Sequence, residues 1–182
     1  HLFHFDFKIK YKKNSFNTNR IRINKILEIF SKNKIKLIFP STSTYKYNKS
    51  KKRISKKIFP INGYARSKIQ CENKILECAK KEKLDFFIFR IFNVYGGNQD
   101  FRRTSPPLTV YIMLNLLKNQ SPILHSNGEQ KRDYIYIDDL LDLIINVINL
   151  NTKGQIFNAC SNNLISVNEI FELIQKEMKI DI

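Results

Sequence analysis

The amino-acid sequence predicts an α/β fold built on a parallel sheet with helices on both faces. Segments with apolar residues at helical spacing alternate with short apolar runs, and such runs are typical of strands buried on both faces. This alternation indicates βαβ units. The chain has 182 residues, 42% of them hydrophobic, which is enough for one sizeable core.

The first half of the chain predicts two pairs of a helix and a strand. Apolar residues recur at helical spacing over residues 21–30, and residues 35–39 then form a short apolar run that we expect Pro40 to end. A second helix is predicted over residues 64–81, and a buried strand follows it over residues 86–92.

The middle of the second half is less regular. Pro106 and Pro107 are placed to start a helix over residues 108–118, and we expect a short strand over residues 122–124. A further strand is predicted over residues 134–137.

The end of the chain has clearer helix signals. An amphipathic helix is predicted over residues 138–150, with Asp138 or Asp139 as its cap, because carboxylates suit the positive N-terminal end of a helix. Residues 154–159 predict a strand, and S-V-N-E at residues 166–169 is a capping box that opens a last helix.

Composition excludes several classes of protein. No apolar run approaches the roughly 18 residues that span a bilayer, and the first residues lack signal-peptide features, so we expect no membrane partner and a cytoplasmic location. The spacing of cysteines and histidines predicts buried thiols, with neither disulfides nor a metal site. These residues are Cys71, Cys78, Cys160, His1, His4 and His125.

The net charge of +16 makes nucleic acid an alternative ligand. Lysine is frequent throughout the chain, however, and the densest basic run, residues 46–57, offers only Tyr47 as a surface on which bases could stack. We therefore interpret this run as a solvated loop, and the charge as a general bias in composition.

Two groups of polar residues could carry chemistry. Tyr64 and Lys68 lie four residues apart on a predicted helix, so a fixed cation could lower the pKa of a phenol that accepts a proton. A half-buried tyrosine beside a solvated lysine would give the same pattern. Residues 41–44, S-T-S-T, follow a buried strand, where α/β sheets bind ligands, although such hydroxyls also satisfy turn backbone.

Four segments in order carry a specific resemblance: F-P-S-T-S, Y-A-R-S-K, R-I-F-N-V-Y-G-G and Q-K-R-D-Y-I-Y-I-D-D-L. Together they resemble the extended short-chain dehydrogenase/reductase family, in particular its nucleotide-sugar epimerases and dehydratases. The resemblance implies a Rossmann-like sheet, NAD as cofactor, and a UDP-sugar or other nucleotide diphosphate sugar as substrate. It also implies a homodimer for the full-length protein.

The resemblance implies the following catalytic roles. Tyr64, as the tyrosine of YxxxK, would exchange the proton of a sugar hydroxyl, and Lys68 would hold the nicotinamide ribose. Thr42 matches the family's catalytic Ser or Thr. Its neighbours Ser41 and Ser43 remain alternatives, with Ser41 otherwise assigned to the cofactor and Ser43 to the substrate.

Further roles follow from the other segments. Phe92 would pack near the nicotinamide and Asn93 would contact the substrate diphosphate. Arg132 resembles the family's arginine for the nucleotide diphosphate, and a planar fork of donors suits paired phosphate oxygens, although a surface salt bridge is the alternative. Asn19 resembles an asparagine that approaches the cofactor.

The resemblance favours epimerisation among the family's reactions. Its dehydratases usually carry an acidic pair after the catalytic Thr, whereas this chain has Ser43 and Thr44. We therefore expect a reaction like that of UDP-glucose 4-epimerases, in which the sugar is oxidised to a keto form and hydride returns to the other face. Dehydratase, decarboxylase and reductase activities remain alternatives.

The family's GxxGxxG turn cannot be built from the chain's five glycines. We expect residues 1–97 to be the later part of an NAD-binding domain and residues 98–182 a nucleotide-sugar-binding region interleaved with it, in one structural unit incomplete at both ends. Roughly 75 preceding residues would supply the missing βα units. An inactive fragment, or a basic nucleic-acid-binding module, is the alternative from another class.

Overall fold

The computed structural model describes residues 15–47, 58–150 and 152–180. The described elements, in chain order, are α1 (Ser15–Lys32), β1 (Leu37–Thr42), β2 (Tyr45–Tyr47), β3 (Ile58–Pro60), α2 (Gly63–Glu82), β4 (Phe86–Ile91), β5 (Asn93–Tyr95), α3 (Leu108–Leu116), a short 3-10 helix (His125–Gly128), β6 (Lys131–Tyr136), α4 (Ile137–Ile148), β7 (Gln155–Ala159), β8 (Leu164–Ser166) and α5 (Val167–Met178). Within the described residues they form two compact units, the first of residues up to 91 with residues 148–158, and the second of residues 92–147 with residues 159–180.

The first unit is built on a three-stranded sheet in the order β1-β4-β7. Strands β1 and β4 run parallel, with Leu37 opposite Phe86 at one end and Thr42 opposite Ile91 at the other. Phe87, Ile88 and Phe89 are fully buried, as expected for a central strand covered on both faces. The parallel sheet with helices confirms the predicted fold class.

Strand β1 continues through Pro40 to Thr42, so the prediction that Pro40 ends it is wrong. The amides of Leu37 and Ser43 donate to the β4 side, to Asp85 at 2.9 Å and to Ile91 at 3.1 Å. Because amides alternate in direction along a strand, residue 40 faces away from β4, and a proline there removes no bond between the two strands.

Helices α1 and α2 pack against each other beside this sheet. Buried residues of both helices, of strands β1 and β4 and of the loop before β4 form one core: Ile23, Leu27, Phe30, Leu37, Phe39, Ile75, Leu84, Phe86 and Ile88. Helix α2 begins after Asn62, whose side-chain oxygen accepts a bond from the Ala65 amide at 2.9 Å. It ends at Lys83, a non-glycine residue in the left-handed conformation with φ of 55°.

The second unit contains the sheet β5-β6-β8. Strands β5 and β6 are parallel, and β6 and β8 are antiparallel. Ile112, Leu116 and Ile170 form the core between α3 and α5. The predicted capping box is confirmed: Ser166 and Glu169 exchange side-chain and backbone hydrogen bonds at the start of α5. Helix α5 ends, like α2, at a left-handed lysine, Lys179, with φ of 54°.

Two predicted features of the second unit are wrong. Residues 122–124 form no strand; Ile123 is 77% exposed and its amide donates instead to the Tyr111 hydroxyl at 3.1 Å. Helix α4 begins at Ile137, so Asp138 and Asp139 lie inside its first turn rather than capping it. Both carboxylates still lie at the positive end of the helix.

The Ser166→Ala substitution tests the capping box. Loss of the side-chain acceptor leaves the Glu169 amide unsatisfied, so we expect the free energy of unfolding to fall by about 1 kcal/mol. Urea unfolding followed by circular dichroism measures this change, and Ser121→Ala, at an exposed position, is the control. Equal stabilities of the two variants would contradict the assignment of the cap.

Candidate active site

Helix α2 brings the Tyr64 and Lys68 pair to the carboxyl end of β1. Lys68 is only 6% exposed, and its Nζ donates to the Pro40 carbonyl oxygen at 2.7 Å. The same nitrogen lies 4.9 Å from the centre of the Phe39 ring and 5.8 Å from the centre of the Tyr64 ring. Lys68 is therefore a fixed, buried cation beside Tyr64 and not the solvated lysine of the alternative interpretation.

Burial also changes the proton affinity of this lysine. Desolvation lowers the pKa of Lys68 to about 8, and the neighbouring Cys71 and Glu72 partly oppose that decrease. The ammonium form still predominates at pH 7, because the pKa remains above that value. A cation in this position can stabilise an ionised phenol one helical turn away.

The hydroxyls of the last two residues of β1, Ser41 and Thr42, have different partners. Thr42 Oγ1 lies 2.8 Å from Thr44 Oγ1 and accepts from the Thr44 amide at 3.3 Å, as the turn interpretation expected. Ser41 Oγ donates instead to Glu72 and lies 3.0 Å from the Tyr45 hydroxyl. The Ser43 amide donates to the Ile91 carbonyl. The hydroxyls of Ser41 and Thr42 therefore have different surroundings, although they are adjacent in the chain.

A buried cluster of four residues lies behind this segment, and we call Glu72, Arg90, Ser41 and Tyr45 the Glu72 cluster. Glu72 is 2% exposed, and its Oε2 accepts from Arg90 Nη2 at 2.7 Å and from Nε at 3.2 Å. Its Oε1 accepts from the Tyr45 hydroxyl at 2.8 Å and from Ser41. The carboxylate is thus compensated by one cation and two hydroxyl donors, as a buried charge requires.

Sequence reasoning missed this cluster. Glu72 follows Lys68 by four residues on the same predicted helix, and Arg90 is the one charge in an otherwise apolar strand. A charged residue in a doubly buried strand requires a buried partner, so Arg90 was the signal that could have led to Glu72. Burial also raises the pKa of Tyr45, whose hydroxyl therefore stays protonated as a donor.

The second unit carries Asn93 and Arg132, which were predicted to bind substrate together with Ser43 of the first unit, and Phe92, which was predicted to lie near the nicotinamide. Asn93 Nδ2 donates to the Asp133 carbonyl at 2.7 Å, and Phe92 is partly buried, with its amide bonded to Ala159 at 3.0 Å. Arg132 is exposed and donates to Gln130 at 3.3 Å. No residue in the described parts of the chain forms an ion pair with Arg132, so the surface salt bridge is absent there.

Arg132 lines a cavity of about 470 Å³. Polar groups border this cavity beside the arginine, among them Thr104, Ser105, His125 and Gln130. Its apolar wall includes Leu108 and Tyr111 of α3. A cationic fork beside an apolar wall can hold a ligand that carries both an anionic and a planar part.

Other predictions meet the structure in part. Asn19 lies in α1, but its side chain is outside those described. Cys71, Cys78 and Cys160 are only partly buried rather than buried as predicted, and burial raises the pKa of the first two thiols. The described ranges contain no group of three metal-ligating side chains and no helix with the length and apolarity to cross a bilayer.

Comparison with known families gives a match over most of the chain. The model of the family described as NAD-dependent epimerase/dehydratase matches residues 2–160. That description confirms both the resemblance found in the motifs and NAD as the predicted cofactor of the family.

Individual relatives are similar over shorter stretches. A putative UDP-glucose 4-epimerase of Methanocaldococcus jannaschii is 35% identical over 66% of this chain and 39% of its own length. The dTDP-4-dehydro-6-deoxyglucose reductase of Escherichia coli is 32% identical over 77% of this chain and 45% of its own length. The chain thus spans less than half the length of these relatives.

A solved structure is similar to nearly the whole chain. The UDP-N-acetylglucosamine 4-epimerase from Methanobrevibacter ruminantium, in complex with UDP-N-acetylmuramic acid, superposes with a TM-score of 0.82 at 28% identity. The superposition covers 90% of this chain and 54% of that one.

The pKa of Lys68 predicts a specific pH dependence of stability. Between pH 8 and 10.5 the unfolded chain keeps a proton that the folded chain has lost, so the free energy of unfolding gains a term that rises with pH. We expect the difference in stability between the unsubstituted chain and Lys68→Met to be flat below pH 8. It should then rise by at most about 1.4 kcal/mol per pH unit up to pH 10.5.

Urea unfolding at a series of pH values measures that difference. Lys80→Met, on the exposed surface of the same helix, corrects for the removal of a positive charge from the chain. A difference that stays flat from pH 7 to 10.5 would mean that Lys68 titrates as an exposed lysine does.

Proposed function

Because the chain belongs to the NAD-dependent epimerase/dehydratase family, we propose that the protein that carries it is a nucleotide-sugar 4-epimerase, acting on a UDP-hexose or a related nucleotide sugar. The observation that supports this most is the burial of Lys68 beside Tyr64 at the carboxyl end of β1. Ligands of open α/β sheets bind at that edge.

The proposed chemistry assigns one task to each group. Tyr64 acts as a phenolate that the Lys68 ammonium stabilises; it takes the proton from the sugar 4-hydroxyl and, as a neutral phenol, later returns it. Thr42 hydrogen-bonds the same sugar oxygen. Lys68 and Phe92 would hold the nicotinamide end of NAD, which would supply an acceptor and donor of hydride. The buried, charged amine of Lys68 fits the hydroxyls of the nicotinamide ribose, since an ammonium offers only donors.

The choice of 4-epimerisation rests on the segment after Thr42. Ser43 and Thr44 occupy the places where the family's dehydratases carry an acidic pair, and neither hydroxyl is an effective acid or base for eliminating water. The similarity to a putative UDP-glucose 4-epimerase supports the same choice. The similarity to a dTDP-4-dehydro-6-deoxyglucose reductase makes reduction of a keto sugar the second candidate.

We propose that the second unit binds the nucleotide diphosphate. The Arg132 guanidinium presents paired donors that match phosphate oxygens, and the cavity beside it has an apolar wall for a base. Asn93 Nδ2 donates one hydrogen to the Asp133 carbonyl and would donate its second hydrogen to the diphosphate.

The remaining predictions from the sequence stay part of this proposal. They are the roles of Asn19, Ser41, Ser43 and Phe92, the division at residues 97 and 98, the homodimer and the cytoplasmic location. A basic nucleic-acid-binding module remains the alternative from another class, and it predicts binding to DNA or RNA that weakens steeply with salt.

Product analysis tests the proposed reaction. The protein that carries this chain is incubated with NAD and UDP-galactose, UDP-N-acetylglucosamine or dTDP-glucose, and the sugars are identified by NMR. We expect the 4-epimer of a UDP-sugar and a decrease of kcat by about 10²- to 10⁴-fold in Tyr64→Phe, which lacks the acid/base hydroxyl. Tyr136→Phe, at an exposed tyrosine, is the control. A 4-keto-6-deoxy product, or no product at all, would contradict 4-epimerisation.

Arg132→Gln tests the diphosphate site separately. Loss of charge-assisted hydrogen bonds to phosphate should raise KM for the nucleotide sugar by about 10- to 100-fold with little change in kcat. Arg102→Gln, which removes an exposed arginine of the same unit, is the matched control. If both substitutions raise KM equally, Arg132 contributes only to the overall positive charge and does not bind the diphosphate specifically.

A further inference from the structure

We propose that Glu72 is a positioning residue for the Thr42 hydroxyl and acts through Ser41 and Tyr45, which flank that threonine in the chain. This inference rests on the proposed function, in which Thr42 contacts the sugar oxygen. Glu72 itself is buried behind the segment and is not placed to contact substrate.

The two flanking hydroxyls meet on a single atom. Ser41 precedes Thr42 by one residue and Tyr45 follows it by three, and both donate to Glu72 Oε1, Tyr45 at 2.8 Å. They also lie 3.0 Å from each other. The segment that bears Thr42 is therefore attached at both ends to one buried carboxylate oxygen, which limits how the backbone between them can move.

The carboxylate is held in turn by rigid elements. Arg90 binds the other oxygen, Oε2, through two nitrogens, and lies on β4 directly opposite Ser41 in the parallel register. The Arg90 guanidinium also lies 5.3 Å from the centre of the Tyr45 ring. Rotation of the Glu72 carboxyl would break bonds to Arg90 and to the hydroxyls together, so the anchor has one favourable orientation.

Glu72 affects the Thr42 hydroxyl indirectly, through residues that follow Thr42 in the chain. Thr42 Oγ1 is held by the hydroxyl and the amide of Thr44, the residue next to Tyr45. The Tyr45 amide donates to the Ser43 carbonyl at 2.7 Å. A displacement of the Tyr45 end therefore moves Thr44, and the direction of the Thr42 oxygen changes with it.

Glu72 also connects this segment to the other half of the site. It follows Lys68 by one helical turn, and its charge favours the ammonium form of that lysine. The Glu72 carboxylate thus interacts electrostatically with Lys68, the cation that stabilises the Tyr64 phenolate. It also accepts hydrogen bonds from the segment that bears Thr42. A misplacement of about 1 Å in such a site costs roughly 100-fold in rate, which a stability role alone does not predict.

Tyr45→Phe is the decisive substitution. It removes one donor to Glu72 while keeping the ring beside Arg90. We expect kcat for the nucleotide sugar to fall by about 10- to 100-fold with KM nearly unchanged. In a Thr42→Val background the same substitution should have little further effect, because the group that it positions is gone. Equal losses in both backgrounds would overturn the inference, and Tyr136→Phe again controls for loss of a phenol.

Amide hydrogen exchange gives a readout that does not require turnover. The Thr44 amide, which bonds to Thr42 Oγ1, should exchange at least about tenfold faster in Tyr45→Phe and in Glu72→Gln than in the unsubstituted protein. The Ile135 amide on β6, in the other unit, should not change. If Glu72→Gln fails to fold, Tyr45→Phe still decides.

The two measurements separate the inference from the proposed function. If the unsubstituted protein turns over no nucleotide sugar, the proposed function fails, and faster exchange at Thr44 would still support Glu72 as the anchor of the segment. If turnover occurs but Tyr45→Phe changes neither kcat nor exchange, the proposed function stands and the positioning role of Glu72 is wrong.

Discussion

The parallel pairing of β1 with β4 is the constraint on which the first unit depends. The register from Leu37 opposite Phe86 to Thr42 opposite Ile91 fixes which polar residues can meet at the carboxyl edge. It places Ser41 beside Arg90, near the end of β4, where the Glu72 carboxylate of α2 binds both residues. Without that pairing, Arg90 would be an uncompensated buried cation.

The carboxyl end of β1 therefore serves as a meeting point for groups that are far apart in sequence. Pro40 faces away from β4, and its carbonyl oxygen accepts a hydrogen bond from Lys68 Nζ. Two residues further on, Thr42 emerges into the turn. Helix α2 contributes both a cation, Lys68, and an anion, Glu72, four residues apart, and each contacts the same short stretch of β1 and the residues after it.

Sequence patterns predicted the longer elements because their signals are periodic. The helix before β1, the helix of YxxxK, the buried strand around Ile88 and the capping box all follow from apolar spacing or from one recognisable cap. The strands β2, β3, β5 and β8 were missed, since three residues each are too few to show a period. Ile123 resembled a strand residue, but no strand in the described chain pairs with it, and its amide donates to a side chain instead.

The candidate site was predictable to the extent that its residues belong to motifs. Tyr64, Lys68 and Thr42 could be located from the segments that resemble the family, whereas the Glu72 cluster depends on contacts between three elements that only the folded chain brings together. The difference between Ser41 and Thr42 was likewise invisible in the sequence, because it arises from which face of β1 each side chain occupies.

The lysines at the ends of α2 and α5 bear on how the charge of the whole chain arose. Lys83 and Lys179 occupy the left-handed conformation that glycine adopts without steric cost and that costs other residues about 1 kcal/mol or more. Lysine thus occurs even where backbone geometry opposes it and no ligand is needed to explain it. We therefore attribute the excess of positive charge to a general bias of the composition toward lysine, which the fold tolerates. A surface selected to bind a polyanion is not needed to explain it.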